Sequence, residues 1–61
     1  MTVKAICEMA ESSLNTLADM MARKAGEISR TDSETARDLM RMATALKHMA
    51  GQVPTIGGEH P

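Results

Sequence analysis

Side chains with soft donor atoms are the first candidates for chemistry in this chain: Met40, Met42, His48 and Met49, with Cys7 and Met9 nearer the start. Thioether and thiolate sulfur are ligands that Cu(I) accepts. A helix turns by about 100° per residue, however, so Met40 and Met42 point about 200° apart and cannot bind one ion within one helix. No Cys-x-x-Cys or repeated Met-x-x-Met accompanies them. We therefore expect no metal and no cofactor.

Cys7 is the single cysteine and would need a neighbouring base to act as a nucleophile. The two histidines are His48 and His60. An antiparallel helical pair would bring His48 to the Cys7 end, but His48 falls outside the apolar stripe of its helix. No Asp or Asn is evidently placed to orient it. The sequence thus predicts a small buried apolar side chain at Cys7, no catalytic residue and no enzymatic activity.

The seven methionines stand in a chain of 61 residues that has no Phe, Tyr or Trp. Unbranched thioethers fill irregular gaps beside alanines, and core packing is the favoured interpretation for most of them. The other interpretation is a methionine-rich surface that repacks around another protein. The residues proposed for such a contact, with three cations that would set orientation, are Met9, Met20, Met40, Met42, Met49, Arg37, Arg41 and Lys47.

Residues 3–28 repeat apolar side chains at steps of three and four, which predicts a first helix over that range. Two heptad positions interleave: Cys7, Leu14, Met21 and Ile28 at one, and Val3, Ala10 and Leu17 at the other. Lys24 or Ala25 fills the remaining place in the second series. Gly26 either ends this helix or lies within it at a cost of about 1 kcal/mol relative to Ala.

A second helix is predicted at about 32–50, after a turn at about 29–31. Its apolar seam consists of Ala36, Leu39, Ala43, Leu46, Ala50 and Val53. Thr31 and Glu34 match a capping box, in which each side chain bonds the backbone amide of the other. Gly51 is expected to end the helix, with Pro54 beyond it, so residues 1–53 form the hairpin and residues 54–61 a flexible tail.

A short connection makes the two helices antiparallel, giving an all-α helical hairpin. Both apolar stripes are wider than one helix can cover, and a chain of this length is marginally stable alone. We therefore expect two hairpins to pair as a homodimeric four-helix bundle. This predicted architecture resembles that of the plasmid regulator Rop, a dimer of helical hairpins. The resemblance lies in architecture alone, since no residue motif of Rop is found in this sequence.

Charge and hydropathy narrow the class of function. Seven Lys and Arg stand against eight Asp and Glu, a net charge of −1. Nucleic-acid binding normally needs a strong basic excess, so nucleic acid is not expected as a partner. No run approaches the length of a membrane span, and the N-terminus does not fit a secretory signal, so a cytoplasmic location is expected.

The sequence thus favours a small regulatory or adaptor protein that binds another protein through a Met/Leu-rich helical face. An inhibitor, an antitoxin-like protein or a chaperone-like protein would fit this description. One alternative is an RNA-binding regulator of the Rop type. Another is a structural subunit of a larger helical assembly.

Overall fold

The computed structural model describes residues 1–56, and these form two helices that pack side by side in an antiparallel hairpin. Helix α1 spans Val3–Ile28 and helix α2 spans Ser33–Ile56. The molecule measures 47 × 19 × 10 Å between Cα atoms, so the pair is a layer one helix thick. The predicted all-helical class is confirmed. Neither helix within residues 1–56 has an apolar window long enough to cross a membrane.

Helix α1 begins at a threonine cap and runs through its glycine. The Thr2 hydroxyl accepts a hydrogen bond from the Ala5 amide (3.1 Å), which satisfies one free amide of the first turn. Gly26 lies inside the helix, and a Cβ added there would meet nothing within 4 Å. At the far end the Thr31 hydroxyl donates to the Ile28 carbonyl (3.2 Å). The Asp32 amide donates to the same carbonyl (2.8 Å), which closes the turn.

The predicted capping box is wrong, because Asp32 and not Thr31 caps helix α2. Asp32 Oδ1 accepts from the Thr35 amide (3.1 Å), and Oδ2 accepts from the Thr35 hydroxyl (2.7 Å). The hydroxyl bond and then the amide bond hold the pKa of the Asp32 carboxyl below its ordinary value of 3.8. Thr31 cannot serve as the cap because its hydroxyl is already bonded to the end of α1.

The prediction that α2 ends near residue 50 is also wrong. The helix continues through Gly51 and Pro54 to Ile56, so residues 54–56 belong to it rather than to a tail. The physical reason is packing: α1 starts at Val3, and half-buried Val53 continues the seam of α2 beside the first turns of α1. Pro54 falls in the last turn, so its missing amide removes only one backbone bond near the end of the helix. The remaining part of the predicted tail, residues 57–61, lies outside the described residues.

The core of the hairpin consists of small side chains. Its buried members are Cys7, Ala18, Ala25, Ala36, Ala43 and Ala50. Residues about equally far from the turn lie side by side, which places Ala25 beside Ala36 and Ala18 beside Ala43. Between these alanine layers lie larger side chains that are half buried: Leu14, Met21, Leu39 and Leu46. Alanine lets the backbones approach closely, while the larger side chains all lie on the same rotational side of the alanines and extend toward one broad face.

The observed seam differs from the predicted one in helix α1. Ala18 and Ala25 are buried where the heptad pattern placed Leu17, and Leu17 is 47% exposed. Val3, in the same predicted series, is exposed as well. The other predicted positions, from Cys7 to Ile28 on α1 and from Ala36 to Val53 on α2, are buried or half buried. Leu17 has therefore turned away from α2 and is available to another layer.

Candidate functional site

The flat hairpin has two broad faces, and the helical angle decides which residues share each of them. At about 100° per residue, Ile6 and Leu17 of α1 lie roughly 90° to one side of the alanine seam. Met42 and Met49 of α2 each precede a buried alanine and so lie about 100° from their own seam in the same rotational sense. Because the two helices run antiparallel, residues displaced from the two seams in the same rotational sense lie on the same broad face of the hairpin. These four side chains therefore share one surface.

We call this surface the apolar face and define it by six exposed apolar side chains: Ile6, Met9, Leu17, Met20, Met42 and Met49. Met9 and Met20 lie at its outer edge on α1. Each of the six exposes about half of its area, from 47% at Leu17 to 58% at Met20. Soluble monomers rarely leave contiguous apolar patches above a few hundred Å² uncovered. A surface of this kind is typical of a protein interface.

The opposite surface, which we call the polar face, is charged. Its residues lie on the other rotational side of the seam: Lys4, Glu8, Asn15 and Asp19 of α1, and Arg37, Met40, Thr44 and Lys47 of α2. An ion pair joins Asp19 to Lys47 at 3.0 Å between carboxylate and ammonium. This contact between the two helices shows independently that residues on this side share one face. Met40 is the one large apolar side chain among them.

The residues proposed from sequence for partner binding divide between these surfaces. Met9, Met20, Met42 and Met49 lie together on the apolar face. Arg37, Met40 and Lys47 lie on the polar face, and Arg41 points outward from α2. The sequence missed Ile6 and Leu17 as members of the candidate surface. Their position on this face follows from the angle that each residue makes with the alanine seam. The predicted seam of α1 included Leu17, so that angle could not be read correctly from the sequence.

The apolar character ends before the turn. On the same face, closer to residues 29–32, lie Lys24 and Glu27 of α1 and Asp38 of α2. Lys24 Nζ is 3.4 Å from Glu27 Oε1, and Arg41 is 3.9 Å from Asp38. Both pairs are long, exposed and formed within one helix, so each contributes only a few tenths of a kcal/mol. Pairs as weak as these can be exchanged for ion pairs with another chain at little cost.

Other candidate chemistry finds little support in the described residues. Cys7 is buried, whereas His48 is exposed on the outer side of α2. Among residues 1–56, no group of three His, Cys, Asp or Glu side chains is arranged to hold a metal ion. An open groove on the outer side of α1 is lined by Ala5, Glu8, Met9, Ser12 and Ser13. It is formed by a single helix and is widely open to solvent.

No protein-family model, curated protein or solved structure matches this chain significantly.

Proposed function

We propose that this chain is a non-enzymatic protein-binding hairpin, a small regulator or adaptor, and that it binds helices on its apolar face. The observation that carries the proposal is the segregation of side chains between the two broad faces. Six large apolar residues are half exposed on one face, while the other is dominated by polar and charged residues and carries the Asp19–Lys47 ion pair. Such one-sidedness has no use in an isolated hairpin, because it leaves apolar area in water.

The proposed occupant of the apolar face is a second copy of the chain, giving a homodimeric four-helix bundle. Among residues 1–56 the buried core consists of one cysteine and five alanines, and no large side chain of this range is fully buried. Burying apolar area yields roughly 25 cal/mol per Å², so alanines alone supply little stability. A second hairpin would cover the half-buried leucines and the exposed methionines together.

The size of the face suits this occupant. A helix of 26 residues is about 39 Å long. With a width of 19 Å between Cα extremes, each hairpin offers an area on the order of 700 Å². A standard protein interface buries about 800 Å² on each partner. Methionine suits such a contact because its flexible side chain adapts to the surface that meets it.

The regulatory role follows from the chemistry of the same surface. A helix of another protein that presents apolar side chains at steps of three and four would compete with the second copy for the apolar face. The hairpin would then act by exchanging one helical partner for another. Its polar face, with Arg37 and Lys47, stays in water in either complex.

Two substitutions on α2 test the proposal, because Met40 and Met42 have similar exposure, 47% and 56%, but lie on opposite faces. We expect Met42→Glu to convert the dimer to a monomer, since two carboxylates would be buried at its interface. Met40→Glu, the matched control, should leave the dimer intact. Sedimentation velocity at micromolar concentrations measures the outcome. A wild-type monomer, or equal effects of the two substitutions, would contradict a second copy as the occupant.

A further inference from the structure

We infer that the second copy docks with its turn at the same end of the bundle, so that Lys24 of each chain faces Asp38 of the other. This inference rests on the proposed homodimer and adds its topology. Two symmetric arrangements bury the apolar faces against each other. In one the turns lie at the same end, and α1 of one copy packs on α2 of the other. In the other the turns lie at opposite ends, and like helices pack together.

The position of the apolar side chains along the hairpin favours the first arrangement. Leu17 and Met20 lie 11 and 8 residues before the end of α1, and Met42 lies 9 residues after the start of α2. With turns at the same end, Leu17 and Met20 of one copy therefore come to the level of the partner's Met42. The apolar residues in the half of the face nearer the turn then meet one another across the interface.

The charges near the turn favour the same arrangement. Lys24 lies four residues before the end of α1, and Asp38 lies five residues after the start of α2. Both border the apolar face, so Lys24 comes to the level of the partner's Asp38 at the edge of the interface, and the pair occurs twice by symmetry. Within one hairpin each of the two forms only a long intrahelical pair, with Glu27 at 3.4 Å and with Arg41 at 3.9 Å.

The opposite arrangement brings Met42 near the level of the partner's Met49, but it also sets a charged side chain against an apolar one. With turns at opposite ends, the level of Lys24 coincides with that of Ile6 on the partner's α1. An ammonium would then displace water from an apolar side chain without gaining a carboxylate, which costs desolvation energy. Sliding the two hairpins apart to avoid this contact would leave part of the apolar face uncovered.

A mixing experiment tests the pairing between chains. Lys24→Asp and Asp38→Lys are prepared as separate proteins and mixed. Native mass spectrometry then measures the proportions of the two homodimers and the heterodimer. Each homodimer would carry two like-charge pairs, whereas the heterodimer would carry two attractive pairs. We expect the heterodimer in about tenfold excess over statistical mixing. The control mixture, Arg23→Asp with Glu34→Lys, makes the same charge changes away from the apolar face and should show a much smaller excess.

A distance measurement separates the failure of this topology from the failure of the dimer. A spin label at Arg30→Cys, in a Cys7→Ala background, marks the turn of each copy. With turns at the same end and helix layers about 10 Å apart, the two labels should lie roughly 20 Å from each other. A dimer with labels separated by nearly the 47 Å length of the hairpin, or with statistical mixing, would overturn the topology alone. A protein without dipolar coupling that sediments as a monomer would overturn the proposed dimer as well.

Discussion

At the scale of single residues, the junction between the helices depends on Asp32. Its carboxylate accepts both the amide and the hydroxyl of Thr35, while its backbone amide bonds the Ile28 carbonyl. One residue thus ends α1 and starts α2, which fixes where the second helix begins. A negative charge at this position also interacts favourably with the helix dipole.

We expect the stability of the hairpin to fall when acid protonates Asp32. Because hydrogen bonds lower the pKa of this carboxyl in the folded state, its contribution is complete above the ordinary value of 3.8. The contribution is lost as the pH falls through the lower folded-state pKa. Asp32→Asn keeps a capping acceptor without a charge and should remove this part of the pH dependence. Thermal unfolding followed by circular dichroism between pH 7 and pH 3 measures both proteins. Parallel pH profiles would contradict the assignment.

The difference between the predicted and observed caps has a local cause. Thr31, Asp32 and Ser33 are all good capping residues, and the pattern from Thr31 to Glu34 matches a capping box. The sequence does not show that the Thr31 hydroxyl is engaged by the Ile28 carbonyl. A cap is therefore predictable to within a residue, and the end of the preceding helix decides which candidate is used.

At the scale of the helices, alanines at intervals of seven define the contact. Ala36, Ala43 and Ala50 of α2 are all buried, and Ala18 and Ala25 of α1 are buried beside them. The seam of α2 is predictable from sequence because one apolar stripe stands out clearly. That of α1 is not, because Leu17 and Ala18 are adjacent and hydrophobicity favours the wrong one. Close approach of the backbones selects the smaller side chain.

We expect Ala43→Leu to destabilise the hairpin by about 1–3 kcal/mol, because the larger side chain forces the helices apart. Ala43 is only 4% exposed and lies in a layer with Ala18. Ala45→Leu, the control, adds the same atoms at an exposed position of the same helix and should change stability by less than about 0.5 kcal/mol. Urea unfolding of both variants gives the comparison. Equal effects would show that the alanine layers are not closely packed.

At the scale of the whole molecule, the sequence predicts the hairpin better than it predicts the surface. Helical periodicity and a short connection suffice for two antiparallel helices. The division into an apolar and a polar face depends on which residues of α1 form the seam, because the angle of a side chain from that seam decides the face on which it lies. The structure thereby separates Met42 from Met40, and it gathers Leu17 with the methionines that the sequence had already singled out.

Folding and association of this chain should be coupled. The alanine core leaves the single hairpin only marginally stable, and much of the apolar area that it exposes lies on the apolar face. When a folded dimer separates into two unfolded chains, each tenfold rise in concentration stabilises the dimer by about 1.4 kcal/mol. For about 110 ordered residues this corresponds to a rise in Tm of about 5 °C per tenfold.

We therefore expect the Tm of the wild-type protein, followed by circular dichroism, to rise by about 10 °C over a hundredfold range of concentration. Met42→Glu should show a lower Tm that does not depend on concentration, because its folding no longer includes association. Met40→Glu should follow the wild type. A wild-type Tm that stays constant over that range, with full helicity at the lowest concentration, would mean that the alanine seam alone supports the fold. The apolar face would then be free for a different protein rather than for a second copy.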